Sequence, residues 1–400
     1  MIQLSACLIV KNEATLLPRC LESIRSFVDE IIVVDTGSND KTVEIAHSYG
    51  AQIYHFAWVD DFSAARNESL QHAKGEWILY IDADEAIDAV NAAKIREIIT
   101  RKDIMAVTIR QCIPQPADNI AVAFYTEYCR LFRFHPQIRF EGVVHEQILP
   151  AIERLGGRVL RTDIVLHHWA YAANEEKKQR RAERNLRYLL DELKKMQGDP
   201  FIYFNLGMTY KELGQRDAAV RFFHCALEKD DGRIKRELIA YTHLNLSKLY
   251  LESGDYVRAA YHARIVAILD TANPLSAYIL ATLAVTNKQY NEAVFYLETA
   301  IRIAKDVTGV YPNVELNLSR IYLELGSCRS ATGDYLGAEL DFSRAIEFNS
   351  SAALPYLLRG NCCFMRGDRG RAREMFERAL TIDPSLMGAR HGLVLCRTDE

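Results

Sequence analysis

The sequence predicts two dissimilar halves: an α/β domain on a mostly parallel sheet, then an all-α solenoid of helical repeats. Three observations predict this. From residue 1 to about 110, short apolar runs alternate with amphipathic helical stretches. From about 110 to 172 the rhythm changes to short strands with irregular connections. Beyond Pro200 a spaced set of small and aromatic residues recurs. At 400 residues the chain is too long for one ordinary domain.

The elements follow in order. Leu4 to Val10 reads as a buried strand, and Thr15 to Phe27 as a helix with Leu16, Leu17, Leu21 and Ile24 at helical spacing. Glu30 to Asp35 is a second strand, Asp40 to Tyr49 a helix stopped by Gly50, and Gln52 to Phe56 a third strand. Asp61 to Ala73 is helical and Trp77 to Ile81 is a fourth strand. This alternation argues a parallel sheet covered by helices. A charged helix runs from Asn174 to about Met196, where Gln197-Gly198-Asp199-Pro200 breaks it.

The recurring pattern beyond Pro200 is that of tetratricopeptide repeats, which place an aromatic, Leu-Gly, Tyr, then Ala, aromatic and Ala over about 34 residues. Tyr203, Leu206, Gly207, Tyr210, Ala219, Phe223 and Ala226 supply one copy. The shared alanine returns at 219, 259, 293, 338 and 372, with gaps of 40, 34, 45 and 34. Five repeats are therefore expected, two carrying insertions. Tyr203 and Tyr210 are expected to be core residues, not sugar platforms. The expected boundaries are 1–172 for the first domain, 173–199 for a linking helix and 200–400 for the repeats.

Charge and composition exclude several classes. Net charge is −4, and no aromatic-basic motif is present, so no nucleic-acid partner is expected. Lys177-Lys178-Gln179-Arg180-Arg181 lies among Glu175, Glu176 and Glu183 and reads as a solvated helix face. The alternative is contact with an anionic surface or acceptor. Nine cysteines are scattered without metal-ligand spacing, as expected of free thiols in a reducing compartment. The N-terminus lacks a basic leader and reads as a strand, and no run reaches the ~18 apolar residues of a membrane span. A cytoplasmic protein is expected, at most peripheral at the inner membrane surface.

The site candidates cluster at strand ends. Asp82 and Asp84, in Ile81-Asp82-Ala83-Asp84-Glu85, are two apart and are expected to share a strand face at the sheet's carboxyl edge, where open α/β folds bind ligands. Two carboxylates there suit a divalent cation that bridges a diphosphate; a solvated turn is the competing reading. Lys11-Asn12-Glu13 and Asp35-Thr36-Gly37-Ser38 should open on the same edge. Asp35 is placed to accept from a base or ribose, and Gly37 lets backbone approach closely. Ser38 to Asp40 also suit a helix cap. Asp61 and Arg66 open another helix; Arg66 can meet a phosphate, or else pair with Asp61 or Glu68. The residues alone stop at a nucleotide and a metal at a strand edge.

LIVKNEATLLPRCLES, EIIVVDTGSNDKTVEIA, DDFSAARNESL and GEWILYIDADE closely resemble the family 2 glycosyltransferases, which have the GT-A fold. The resemblance spans about residues 3 to 172. Arg130-Leu131-Phe132-Arg133, Phe140 to Glu146 and His168-Trp169-Ala170-Tyr171 resemble the branch of lipopolysaccharide-core glucosyltransferases and sublancin-type peptide S-glycosyltransferases. The resemblance implies that Glu13 and Asp35 hold the nucleotide, with Lys11, Asn12, Gly37, Asp61 and Arg66 nearby. It implies that Asp82 lies near ribose and metal, and that Asp84 and His168 bind Mg²⁺ or Mn²⁺. His167 is a rival to His168, and Ala170 departs from the branch's usual glycine. Glu146, with His145 beside it, is the expected catalytic base of an inverting transfer; the competing reading is that the pair merely orders the loop around Gly142.

The expected reaction is transfer of a hexose from a nucleotide-sugar, UDP-linked, to a peptide, protein or saccharide acceptor held with help from the repeats. Two alternatives stay open. The repeats could form an interaction scaffold beside a weakly active nucleotide-sugar-binding domain, or could pair two copies as a homodimer without touching acceptor.

Overall fold

The computed structural model describes residues 2–115, 119–169, 175–196, 198–230, 232, 235–305 and 314–397. Ala170 and Tyr171 of the late motif, Asn174 at the start of the expected charged helix, and Gln197 at its break lie outside the described residues. The chain divides into two compact units, Met1–Gln115 with Ala123–Arg233, and Pro116–Val122 with Ile234–Glu400. The division falls after the first helical repeat.

In the first unit the elements alternate as expected: β1 (Leu4–Val10), α1 (Leu17–Ile24), β2 (Glu30–Asp35), α2 (Thr42–Ser48), β3 (Gln52–His55), α3 (Phe62–His72), β4 (Trp77–Tyr80), β5 (Glu85–Ala86) and α4 (Ala89–Ile98). Then come β6 (Ala106–Pro114), β7 (Ala121–Arg133), α5 (Leu149–Arg154) and β8 (Val159–His168). The strand order is β3-β2-β1-β4-β7-β6-β8-β5. β1 pairs in parallel with both β2 and β4, and β2 with β3. Beyond β4 the sheet is mixed: β7 is antiparallel to β4 and β6, β8 is parallel to β6, and β5 is antiparallel to β8.

The strands are near-continuous apolar runs because both faces are covered. Leu4, Ala6, Leu8, Ile31, Val33, Trp77 and Leu79 pack on one face with Leu17, Leu21 and Ile24 of α1. Cys7, Ile32, Ile78 and Tyr80 face the other way, toward Leu70 of α3 and Ile138, Phe140 and Ile152. β1 has β2 on one side and β4 on the other, so the order reverses there. In an open α/β sheet that reversal opens a crevice at the carboxyl ends of the strands. The loops after β1 and β4 flank it.

The first unit ends in three helices, α6 (Glu175–Lys195), α7 (Pro200–Glu212) and α8 (Arg216–Glu228). The second unit contains α9 (Arg236–Glu252), α10 (Tyr256–Leu269), α11 (Pro274–Thr286), α12 (Tyr290–Lys305), β9 (Val314–Leu316), α13 (Leu318–Ala331), α14 (Tyr335–Phe348), α15 (Ala353–Met365), α16 (Arg369–Ile382) and α17 (Met387–Arg397). From α7 to α16 the helices form five consecutive pairs, and the five shared alanines at 219, 259, 293, 338 and 372 are each 0% exposed. Tyr203 and Tyr210 stack on Phe222 within the first pair. The long gaps fall between α8 and α9 and between α12 and α13.

Three pairs lock by one device. A Cβ added at Gly207, Gly326 or Gly360 would come within 2.6, 2.8 or 2.6 Å of the ring of Phe223, Phe342 or Phe376, respectively. The phenyl ring fills the space that the glycine leaves. At the same spacing the remaining pairs carry Ser247 with Ala263 and Ala281 with Leu297, trading a smaller second residue for a larger first one.

Candidate active site

Asp82 and Asp84 do not share a strand face. β4 ends at Tyr80, and residues 82–85 form a turn closed by the Glu85 N–H donating to the Asp82 carbonyl at 3.0 Å. The expected alternation therefore fails: the chain leaves the sheet and rejoins it as β5. The two carboxylates go to different partners.

Asp82 faces two arginines. Arg66 Nη2 donates to its Oδ1 at 2.7 Å, and Arg130 Nη1 lies 3.3 Å from Oδ2. Burial alone would raise the Asp82 carboxyl; Arg66 and Arg130 outweigh it and hold it below the usual carboxylate range. Asp82 was expected as a second metal ligand. Both of its oxygens are occupied by guanidinium N–H groups, so metal ligation there would require exchanging an arginine. Arg130 also donates to Glu85 at 2.7 Å. The Glu85 side chain is 0% exposed; burial pushes its carboxyl up and Arg130 opposes the shift. Gln111 Nε2 and the Asp82 N–H complete the partners of Glu85. Both guanidiniums lie over the Tyr80 ring, 4.9 and 4.5 Å from its centroid.

Arg66 is the hinge of the site. It stands one turn into α3, whose N-cap is Asp61 accepting from the Ala64 N–H at 3.1 Å. Its Nε donates to Glu146 while Nη2 holds Asp82. The alternative partners read from sequence, Asp61 and Glu68, are not used: Asp61 caps the helix and Glu68 meets His72 at 3.0 Å. Glu146 is thereby tied to the Asp82 turn. His145 beside it is exposed as a residue and has left-handed backbone, φ +58°.

Asp84 meets His168, whose Nε2 lies 3.3 Å from Oδ2. The register explains this: Glu85 pairs with His168 in the β5–β8 ladder, and the Trp169 N–H donates to the Asp84 carbonyl at 2.9 Å. Burial works against a charged His168, but Asp84 outweighs it and raises the imidazole. His167 points elsewhere, 3.4 Å from Asp88. The Asp84 and His168 side chains are 24% and 12% exposed, so both remain reachable. No group of three or more His, Cys, Asp or Glu gathers as a metal cage among the described residues. A carboxylate oxygen and an imidazole nitrogen still fit a divalent cation that takes its other ligands from a bound diphosphate and water.

The loops after β1 and β2 interlock. Asn12, at φ +57°, accepts from the Asn39 N–H at 2.8 Å, and its own N–H donates to Ser38 Oγ at 2.9 Å. The Glu13 N–H donates to Thr42 Oγ1, and the Glu13 carbonyl accepts from Leu16 and Leu17 at the start of α1. Asp35 is buried and turns back on its own loop, accepting from the N–H groups of Gly37 and Ser38. His55 Nδ1 lies 3.4 Å from the same carboxylate. Gly37 has φ +102° and no atom within 4 Å of an added Cβ, an opening against which a ligand can lie. Lys11 is exposed at the rim.

The sequence reading assigned no role to Arg130, Glu85 or Gln111. A charged residue inside the apolar run Cys129-Arg130-Leu131-Phe132 is the signal that could have found the first. Charge enters a buried strand only against a partner.

Residues 5–148 match the Glycosyl transferase family 2 domain, and residues 202–228 and 276–307 match tetratricopeptide repeats. A TPR repeat-containing protein of Synechococcus elongatus is 33% identical over 289 residues, 70% of each chain. The SPbeta prophage-derived glycosyltransferase SunS of Bacillus subtilis is 27% identical over 218 residues, 54% of this chain and 51% of that one. Among solved structures, YrrB, described as a TPR protein with an unusual peptide-binding site, aligns over 51% of this chain and 96% of its own, at 21% identity and a TM-score of 0.43. This chain belongs to the family 2 glycosyltransferases, with a tetratricopeptide-repeat region after the catalytic domain. It is a glycosyltransferase. No described helix is long and apolar enough to cross a membrane.

Proposed function

We propose that the chain is an inverting, metal-dependent hexosyltransferase that uses a UDP-linked donor. Asp84 and His168 would hold the cation. The single observation that carries this reading is their convergence, 3.3 Å apart, beside the crevice at the β1–β4 reversal. The mixed oxygen–nitrogen set favours Mn²⁺ over Mg²⁺, which prefers oxygen ligands. When bound, the metal supplies neutralisation of the charge that develops on the leaving diphosphate.

The protein's own residues do the rest. Asp35, Glu13, Asn12, Gly37 and Lys11 line the nucleotide end, and Asp61 sets the start of the helix that carries Arg66. Arg66, shared between Asp82 and Glu146, links the donor side to the base. Glu146 accepts the proton of the acceptor hydroxyl or thiol as that atom attacks the anomeric carbon. His145 holds the tight backbone before it. Asp82 keeps Arg66 and Arg130 in place over Tyr80.

The acceptor is a peptide, protein or saccharide that the repeats help to hold, a role suited to stacked helix pairs. Nine cysteines, none in a disulfide, favour work in the reducing cytoplasm.

The test is release of UDP from UDP-glucose, UDP-galactose and UDP-N-acetylglucosamine, with Mn²⁺, Mg²⁺ or chelator, by wild type and Asp84→Ala. Metal-dependent release from one donor, reduced at least ~100-fold in the variant, is expected. Equal release by both proteins, or release unaffected by chelator, would sink the metal assignment.

A further inference from the structure

The cations at the candidate site are not evenly matched. Arg66 is held by Asp82 and Glu146, and Arg130 by Asp82 and Glu85. Arg19 is different. It is exposed, in the first turn of α1, and among the described residues no carboxylate pairs with it. Arg25, at the other end of the same helix, does pair, with Glu22 at 2.8 Å. A cation in a first turn also sits at the unfavourable end of the helix dipole. Neither an ion pair nor the helix itself explains an arginine at this position.

What Arg19 does touch is an aromatic ring. Its Cζ lies 3.4 Å from the centroid of the Trp169 ring. At that distance only a stacked guanidinium fits, because one aiming an N–H at the ring would hold its carbon farther off. Stacking uses the face of the guanidinium and leaves its N–H groups, which lie in the plane, able to meet oxygen acceptors. Trp169 is in turn fixed to the candidate metal pair. It follows His168 in the chain, and its N–H donates to the Asp84 carbonyl at 2.9 Å. The α1 side is fastened to the same region: Ile87, just after β5, donates its N–H to Ser23 Oγ at 3.2 Å. All of these residues lie in one compact unit.

We propose that Arg19, backed by Trp169, binds the diphosphate of the nucleotide donor beside the cation held by Asp84 and His168. The proposal rests on the reading of that pair as the metal-bearing end of the donor site. The carboxylate of Asp84 already offsets part of the cation's charge, and the diphosphate gains negative charge as the sugar leaves. A guanidinium without an acid partner answers the remainder, and its planar fork suits two phosphate oxygens at once. The aromatic backing restricts the side chain before the ligand arrives, so less freedom is lost on binding. Arg19 thereby distinguishes a nucleoside diphosphate from a nucleoside monophosphate.

The experiment measures binding of UDP, UMP and inorganic pyrophosphate to the full-length protein by titration calorimetry, with and without Mn²⁺. It compares wild type with Arg19→Gln, Arg19→Lys, Trp169→Leu and Asp84→Ala. Glutamine keeps a polar side chain without charge; lysine keeps the charge without the stacking face or the fork. Arg19→Gln is expected to weaken UDP and pyrophosphate ~10- to 100-fold, the range for a lost hydrogen bond to a charged group, with UMP affected much less. Arg19→Lys should recover part of that affinity, and Trp169→Leu should act in the same direction as Arg19→Gln, more weakly. An equal loss for UDP and UMP would assign Arg19 to shaping the segment after β8 and overturns the proposal. So does unchanged affinity for UDP and pyrophosphate in Arg19→Gln, or a wild type that binds UDP no tighter than UMP and ignores pyrophosphate. UDP binding that Mn²⁺ does not strengthen, or that depends on Mn²⁺ equally in Asp84→Ala, would instead remove the metal reading, whatever Arg19→Gln gives. If the wild type takes pyrophosphate but not UDP, the uridine reading falls and pyrophosphate alone judges Arg19.

Discussion

The catalytic edge and the helical repeats bury opposite things. At the edge, two arginines and two carboxylates crowd around Tyr80, and Arg66, Arg130 and Glu85 are each less than a tenth exposed. Inside the repeats the same depth is filled by alanine, by phenylalanine and by glycine cut to the shape of the ring opposite. The first arrangement is held together by charge that only its partners make tolerable; the second is held chiefly by fit, with Glu339 and Asp341 as buried carboxylates paired to Arg366 and Arg329.

Removing one member of the charged cluster should have the largest effect. Arg130→Met keeps the bulk of the side chain but strips Asp82 and Glu85 of a shared cation. Breaking a buried pair in this way costs about 3–5 kcal/mol. The loss should appear as a lower midpoint in denaturant unfolding of the first unit. A loss below ~1 kcal/mol would mean that the cluster is not tied as the distances say.

A change of fit should come next. Gly360→Ala places a methyl 2.6 Å from the Phe376 ring, which Gly392 also approaches from the far side. With no free direction for the ring, overpacking of about 1–3 kcal/mol is expected. Thermal unfolding of the variant measures it, and Phe376→Leu in the same background should recover part of the loss. If Gly360→Ala is neutral, the repeats are looser than their glycines imply.

The smallest effect belongs to an ion pair at the opposite end of β1. Asp29 accepts from Arg96 at 2.8 Å and from the N–H groups of Gln3 and Leu4, and the Arg96 contact lowers its carboxyl from 3.8 to about 2. A depressed carboxylate adds stability above its unfolded value and loses it as pH falls through the folded one. Asp29→Asn should therefore differ from wild type by less than ~1 kcal/mol at pH 7, since both partners are about one-third exposed. The gap should close between about pH 4 and pH 2 in urea titrations. A gap that persists at pH 2 would assign the loss to lost hydrogen bonds, not to charge.

The repeats were nearly all legible in the sequence because their packing recurs: a small residue returning every 34 to 45 positions has one explanation. The strands β1 and β2 were legible to the residue, since short, almost wholly apolar runs ended by charge leave no other reading. The site was legible as a set of positions and less so as a geometry. Asp82 and Asp84 look like neighbours on one strand face, and no local rule says that the strand stops two residues earlier. What turns Asp84 toward His168 is a ladder between residues 85 and 168, and what holds Asp82 is a pair of arginines, one on α3 and one on β7. Such long-range pairings leave no periodic trace.

Four described residues other than glycine hold left-handed backbone, and three of them, Asn12, Asp60 and His145, stand in the loops that shape the site. Each of these conformations costs of order 1 kcal/mol that glycine would not incur. A chain refined only for endurance to heat would place glycine at all three. Here Asn12 instead gives its amide oxygen to Asn39, and Asp60 gives its carboxylate to Tyr188 and Trp58. Toughness and turnover therefore pull apart at known addresses, and a directed-evolution campaign rewarding either one alone should leave its first marks there.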